Sequence, residues 1–192
     1  MSDKKSHITY HILFSGLLVA VTSVFVWSFQ PIMKLFLIPI YVYGVVYFIN
    51  HLSRALSSLF LGKIIKVFSI KALAVFSFVL FATCFLLIFL LLNIQPLPVY
   101  INFLYFVFVS ATIGTGLSFC LSSITRIHTL IPLDMRATIS SINTATGRLF
   151  GAFFFVLLKI LMDGDSIKNS LMVCFLIFLT GIYPLRKICK YK

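Results

Sequence analysis

From Ala72 to Thr125 the chain reads ALAVFSFVLFATCFLLIFLLLNIQPLPVYINFLYFVFVSATIGTGLSFCLSSIT, 54 residues without one Asp, Glu, Lys or Arg. Its apolar character is interrupted only at Asn93-Ile94-Gln95-Pro96-Leu97-Pro98. One helix of that length would extend roughly 80 Å, against a bilayer hydrocarbon core of about 30 Å. The stretch therefore crosses a membrane twice and turns at the prolines. This defines the fold class as an all-α integral membrane protein.

The same pattern recurs on both sides. Hydrophobic runs predict six spans, approximately 9–29, 36–61, 70–92, 98–123, 138–161 and 168–185, in a single transmembrane domain over 1–192. Turns are expected at Gln30-Pro31, Gly62 to Lys66, Asn93 to Pro98, Ile131-Pro132 and Asp163-Gly164-Asp165. The stretch Ser6 to Met33 is charge-free and too long for the apolar region of a signal peptide, so it reads as the first retained span. Residues are 61% hydrophobic and 10% charged, with 22 Phe in 192 positions. A water-soluble domain of this length would carry far more charge.

The formal net charge of +12 does not mark a nucleic-acid surface, because Lys and Arg punctuate the apolar runs instead of forming a stripe beside exposed aromatics. The expected surrounding is the lipid bilayer, and no nucleic acid. Lys4, Lys5, Lys63, Lys66, Lys71, Arg126, Arg136, Arg186, Lys187, Lys190 and Lys192 fall on one side of the six spans. Only Lys34, Lys159 and Lys168 fall on or near the other. The positive-inside rule then puts both termini in the cytoplasm. Cys84, Cys120, Cys174 and Cys189 have neither metal nor redox spacing, and no cofactor or metal is expected.

Spans three and six are apolar nearly all round, whereas spans one, two, four and five carry hydroxyl, amide and glycine positions. Two helices are thus expected to face lipid and four to be partly shielded. The order polar, polar, apolar, repeated twice, is that of a three-plus-three internal repeat.

The turn into span five, Ile131-Pro132-Leu133-Asp134-Met135-Arg136-Ala137-Thr138-Ile139-Ser140-Ser141, resembles the Ile-Pro-x-x-x-Arg-Ala-Thr-x-x-Ser entry to the eleventh helix of many bacterial major facilitator superfamily transporters. Gly62 to Lys71 resembles the degenerate second copy of that family's loop motif, Gly-x-x-x-Asp-Arg-x-Gly-x-Lys/Arg. Gly62 and Lys71 match, while Lys66 stands in place of Asp and Ser69 in place of Gly. The resemblance implies helices seven to twelve of a twelve-helix transporter, with Gly62, Lys71, Pro132 and Arg136 as its cytoplasmic loop motif. It also implies a bacterial cytoplasmic (inner) membrane and alternating access with a partner half, either a separate six-helix half or a second copy.

Arg54 and Arg148 are the only charges well inside a span; Arg148 lies roughly 18 Å along the helix from Arg136. A central arginine costs about 2.5 to 3.5 kcal/mol, so each needs a cavity or a partner. On span two Tyr43, Tyr47, Asn50, Arg54 and Ser57 share a face, with His51 beside Arg54. On span five Ser141, Thr144 and Arg148 share another. Tyr47, Asn50, Arg54, Thr144 and Arg148 are the candidate substrate-binding residues, for a small solute whose anionic group would meet the arginines. The alternative for Arg54 is to bond backbone carbonyls at the cytoplasmic gate. Gly147-Arg148-Leu149-Phe150-Gly151 and Gly114-Thr115-Gly116 read as close helix packing.

The chain has no Glu, and its four Asp residues sit at ends or turns, which excludes an intramembrane carboxylate relay within it. Gly116-Leu117-Ser118 is similar to the Gly-x-Ser of rhomboid-type proteases, but no span after it supplies a histidine base, so no enzyme is expected. The expected function is transmembrane transport of a small solute; the alternative is a non-transporting accessory or inactive truncated membrane subunit.

Overall fold

The computed structural model describes residues 2–94, 97–128, 131–162 and 167–190, with side chains for 8–69, 71–94, 97–121, 131–160 and 167–190. The expected turn at Asp163-Gly164-Asp165, Gln95-Pro96 in the middle turn, Lys192 and the side chains of Lys4, Lys5 and Arg126 lie outside the described residues. Seven α-helices follow in order: α1 (Ser2–Leu35), α2 (Tyr43–Val67), α3 (Ile70–Asn93), α4 (Val99–His128), α5 (Leu133–Met162), α6 (Ile167–Leu179) and α7 (Ile182–Lys190). A short 3-10 turn, Ile40–Val42, precedes α2. Among the described residues five stretches are long and apolar enough to cross a membrane: Ile8–Leu35, Lys71–Asn93, Val99–Leu121, Leu133–Ile160 and Ile167–Lys190. The chain is an integral membrane protein. The helix α2 has 25 residues, enough to span about 37 Å, but carries Asn50, His51, Arg54, Lys63 and Lys66.

The first expected turn is displaced. The helix α1 runs through Pro31, forgoing one backbone hydrogen bond, and stops only after Leu35. What ends it is a paired cap. The Ile38 N–H donates to Met33 O at 3.1 Å and the Leu37 N–H to Lys34 O at 3.1 Å, with Leu37 held at φ 55°. These are the bonds of a Schellman motif, closed by apolar Met33 and Ile38, both buried, and followed by Pro39. The next turn needs only Phe68 and Ser69. Phe68 is extended, and the Ser69 hydroxyl caps α3 by accepting from the Ala72 N–H at 3.1 Å. The sixth expected span is broken at Thr180-Gly181, and Pro184 in the first turn of α7, where its missing N–H costs least, restarts it.

Packing is centred on α1, whose span is 67% buried against 28% for α5. It lies along α5 and also meets α4 and α7; α2 lies along α4, and α3 along the other side of α4. Phenylalanines fill the centre: Phe25 meets Phe85 at 4.4 Å, Phe78 stacks on Phe178 at 4.4 Å and Phe29 meets Phe106 edge-on at 5.7 Å. Each such ring removes a large apolar area from its surroundings and adds offset or edge geometry to it.

Shielding therefore divides the four polar helices differently from the expectation. Within this chain α1 and α4 are enclosed, but α2 buries only Val46 and Asn50. The apolar α3 turns Ala74, Ser77, Phe81, Cys84 and Ile88 inward and leaves Val75, Phe76, Val79 and Leu86 outside. Composition does not decide this. Small residues on α4 let α2 approach it along one narrow strip, which hides little of a helix, whereas α3 packs bulky rings against α1, α4 and α6.

Candidate functional site

The polar residues of α2 are ordered by a seam with α4. The Asn50 amide donates to Ser110 O at 3.0 Å, and the Ser110 hydroxyl donates back to Val46 O at 2.7 Å. A turn further on, a Cβ on Gly114 would collide with the Asn50 carbonyl oxygen, so only glycine permits this approach. The Ser118 hydroxyl donates to Arg54 O at 2.9 Å and lies 3.4 Å from the Ser58 hydroxyl, and Ser57 bonds Thr115 at 3.3 Å. These contacts sit at successive turns because α2 and α4 each present small polar residues every three or four positions.

A second seam joins α1 and α5. Ser15 donates to the Asn143 side-chain oxygen and also to Ile12 O. Gly16 faces Thr146, and Gly147 faces Val19, whose Cγ1 would be 3.1 Å from an added Cβ. The paired glycines of span five divide here: Gly147 is packed, while nothing stands within 4 Å of a Cβ on Gly151.

Of the candidate substrate residues, Asn50 is 5% exposed and engaged in the first seam. Tyr47 is half-buried and donates its hydroxyl to Val26 O of α1 at 2.9 Å. The Arg54 side chain is partly exposed; its backbone carbonyl accepts from Ser58 and Ser118, while no hydrogen bond of its guanidinium is found among the described residues. Thr144 and Arg148 are exposed on α5, and the Thr144 hydroxyl is turned back to Ser140 O at 3.0 Å. Arg148 is the sixteenth of the 30 residues of α5, about 22 Å from either end, and Arg54 is the twelfth of the 25 of α2. The two groups stand on helices that each follow a different neighbour.

The loop-motif residues have local tasks. Arg136 Nε donates to Ile131 O at 3.2 Å across the start of α5, and Pro132 precedes the first helical residue, with its carbonyl accepting from Met135 N at 3.1 Å. Lys71 Nζ donates to Cys189 O at 3.0 Å, tying α7 to the start of α3. Gly62 is exposed, and nothing in this chain stands within 4 Å of a Cβ there. Sequence reading passed over Ser15, Gly16 and Ser110; the signal that marks them is small polar residues at one-turn or two-turn spacing on a helix of otherwise bulky side chains. Among the described residues no cluster of three His, Cys, Asp or Glu side chains could hold a metal ion.

Set beside known proteins, the chain matches no family model, no curated protein and no solved structure.

Proposed function

We propose that this chain is a six-span half of a membrane transporter of the major facilitator type, moving a small anionic solute by alternating access with a partner half. The observation that carries the reading is the pair of mid-helix arginines. Arg148 is exposed near the centre of α5 and Arg54 is partly exposed near the centre of α2. Neither fits against lipid hydrocarbon. A water-filled path or an acidic group must meet them, and this chain has no carboxylate at that depth. The pairing of α2 with α4 and α1 with α5 supports the same reading, since exchanging the first three spans for the last three turns one pair into the other. Both termini are then cytoplasmic and the chain crosses six times. The loop motif of Gly62, Lys71, Pro132 and Arg136 adds its resemblance.

A second reading, a non-transporting accessory subunit, is favoured by one observation: Asn50 and Tyr47 are engaged in helix packing, which leaves fewer groups for a solute.

Proteoliposome uptake of small organic anions separates the two. Arg148→Ala should lower uptake roughly tenfold to a hundredfold through loss of a charge-assisted bond of about 1.5 to 3 kcal/mol, with the fold intact. Unchanged uptake, or none in the unsubstituted protein with or without a partner half, overturns the transport reading. Reporter fusions after Lys66 and after Asn93 should report opposite sides; the same side for both removes the six-span topology.

A further inference from the structure

The flank formed by the end of α2, the start of α3 and the later half of α4 carries a groove of about 580 Å³. Ile64, Phe68, Val75, Phe76, Val79 and Phe119 line it, and Lys71 stands at its rim. Phe68, Phe76 and Val79 are each about half exposed, so the groove opens outward. Phe119 meets Phe76 edge-on at 5.4 Å and forms its inner wall. Between Lys71 and Val79 the groove descends eight residues of α3, about 12 Å, from the helix end into the span.

The rim is cationic. Lys71 Nζ donates to Cys189 O at 3.0 Å, which leaves two of its three N–H donors. That bond also brings the basic end of α7, with Lys190 next in the chain, against the start of α3. Arg186 is exposed on α7, and Lys187 lies 5.7 Å over the Tyr183 ring. Lys66 is exposed in the last turn of α2. The acidic residues of the chain are Asp3, Asp134, Asp163 and Asp165, none of them in α2, α3, α4 or α7. An apolar channel that opens outward and begins beside lysines with no ion pair among the described residues fits a ligand with a long chain and a negative head.

We propose that this groove is a binding site for an anionic phospholipid, with one acyl chain along Phe76 and Val79 and the phosphate at Lys71, Lys66 and Lys190. A soluble anion would leave the apolar lining unused, and a zwitterionic lipid would carry its own cation toward the lysines. The site is independent of transport and of any partner half. It requires only that the chain sits in a bilayer.

The test uses the purified full chain in vesicles of phosphatidylcholine with brominated phosphatidylglycerol or brominated phosphatidylcholine as the quenching lipid. The single Trp27 is replaced by Phe and a reporter is placed in the groove by Phe76→Trp. Fluorescence quenching should give a preference for phosphatidylglycerol over phosphatidylcholine of about fivefold or more, since each juxtamembrane lysine contributes roughly that factor. Lys66→Gln, Lys71→Gln and Lys190→Gln together should bring the ratio close to one, and Lys71→Arg should keep it. Lys66→Gln alone, at a side chain with no hydrogen bond among the described residues, should lower it in part. A reporter at Phe108→Trp, on the exposed side of α4, should give a ratio near one. A ratio of one at position 76, a preference that survives the triple substitution, or an equal preference at position 108 would each overturn the site.

Discussion

The two polar seams, α2 with α4 and α1 with α5, use the same materials to different depth. Each pairs an asparagine with a serine and sets a glycine one turn along: Asn50, Ser110 and Gly114 in the first, Asn143, Ser15 and Gly147 in the second. In the first, Asn50 and Ser110 donate in opposite directions to backbone carbonyls, Ser118 and Ser57 add further bonds across the seam, and the glycine meets backbone. In the second, the bond from Ser15 to Asn143 joins two side chains, Gly147 meets the side chain of Val19 and Gly16 that of Thr146. Between membrane helices, where apolar burial gives little preference for one partner over another, backbone approach and polar bonds decide how firmly two helices hold. The first seam is therefore the rigid one and the second the yielding one. A pair of helices joined through side chains is the better place for a movement.

Glycine substitutions test this most severely. Gly114→Ala puts a methyl group into the Asn50 carbonyl, which cannot move without shifting α2, and should cost about 3 kcal/mol, at the top of the usual overpacking range. Gly147→Ala meets Val19 Cγ1 at 3.1 Å, a contact that a small side-chain shift relieves, and should cost about 1 kcal/mol. Unfolding of the purified protein in mixed micelles, followed by circular dichroism, measures both. If Gly147→Ala proves the more damaging, the assignment of rigid and yielding seams is reversed.

This seam was partly visible in the sequence. Gly114-Thr115-Gly116 reads as close packing because glycine at helical spacing inside an apolar run has few other uses, and Gly114 lies against Asn50 while Gly116 faces Phe81. The spans were legible for the same reason: lipid and protein both exclude charge, and 54 uncharged residues leave no other placement. The end of α1 was not legible. Pro31 is the strongest local breaker, yet a membrane helix carries it, and the stop falls instead at Leu37, a residue with no intrinsic preference for a left-handed backbone. Nor could the helical pattern of Tyr47, Asn50 and Arg54 tell a solute path from a helix contact, since both need polar groups on one face. Only the neighbour decides, and α4 takes Asn50 while α1 takes the Tyr47 hydroxyl.

A smaller difference separates the hydrogen bonds. Removing two donors of the first seam, Asn50→Ala with Ser110→Ala, deletes two of its bonds and should cost about 1.2 kcal/mol at the average of roughly 0.6 per bond found between membrane helices. Removing the pair in the second, Ser15→Ala with Asn143→Ala, should cost about 0.6 kcal/mol. Ser15 alone shows why: without Asn143 its hydroxyl still has Ile12 O at 3.1 Å. The same unfolding measurement applies, and equal losses in the two double variants would mean that the bonds across the seams do not set their strength.

The smallest change in stability is expected on the open side of α5, and there the informative quantity is access. Thr144 is exposed and its hydroxyl serves only its own helix, so Thr144→Cys should alter stability by less than about 0.5 kcal/mol. Asn50, on α2, is closed into its seam at 5% exposure. If the polar side of α5 borders water, Cys at 144 reacts quickly with a membrane-impermeant thiol reagent while Cys at 50 is protected, and Arg148, one turn along from Thr144, shares that water. The native cysteines do not obscure the result once Cys189, the exposed one, is replaced by Ser, because Cys84, Cys120 and Cys174 are buried. If position 144 reacts no faster than position 50 in the reconstituted protein, the face carrying Arg148 is covered. The arginine is then met by another helix, and the yielding seam between α1 and α5 has no aqueous path to open.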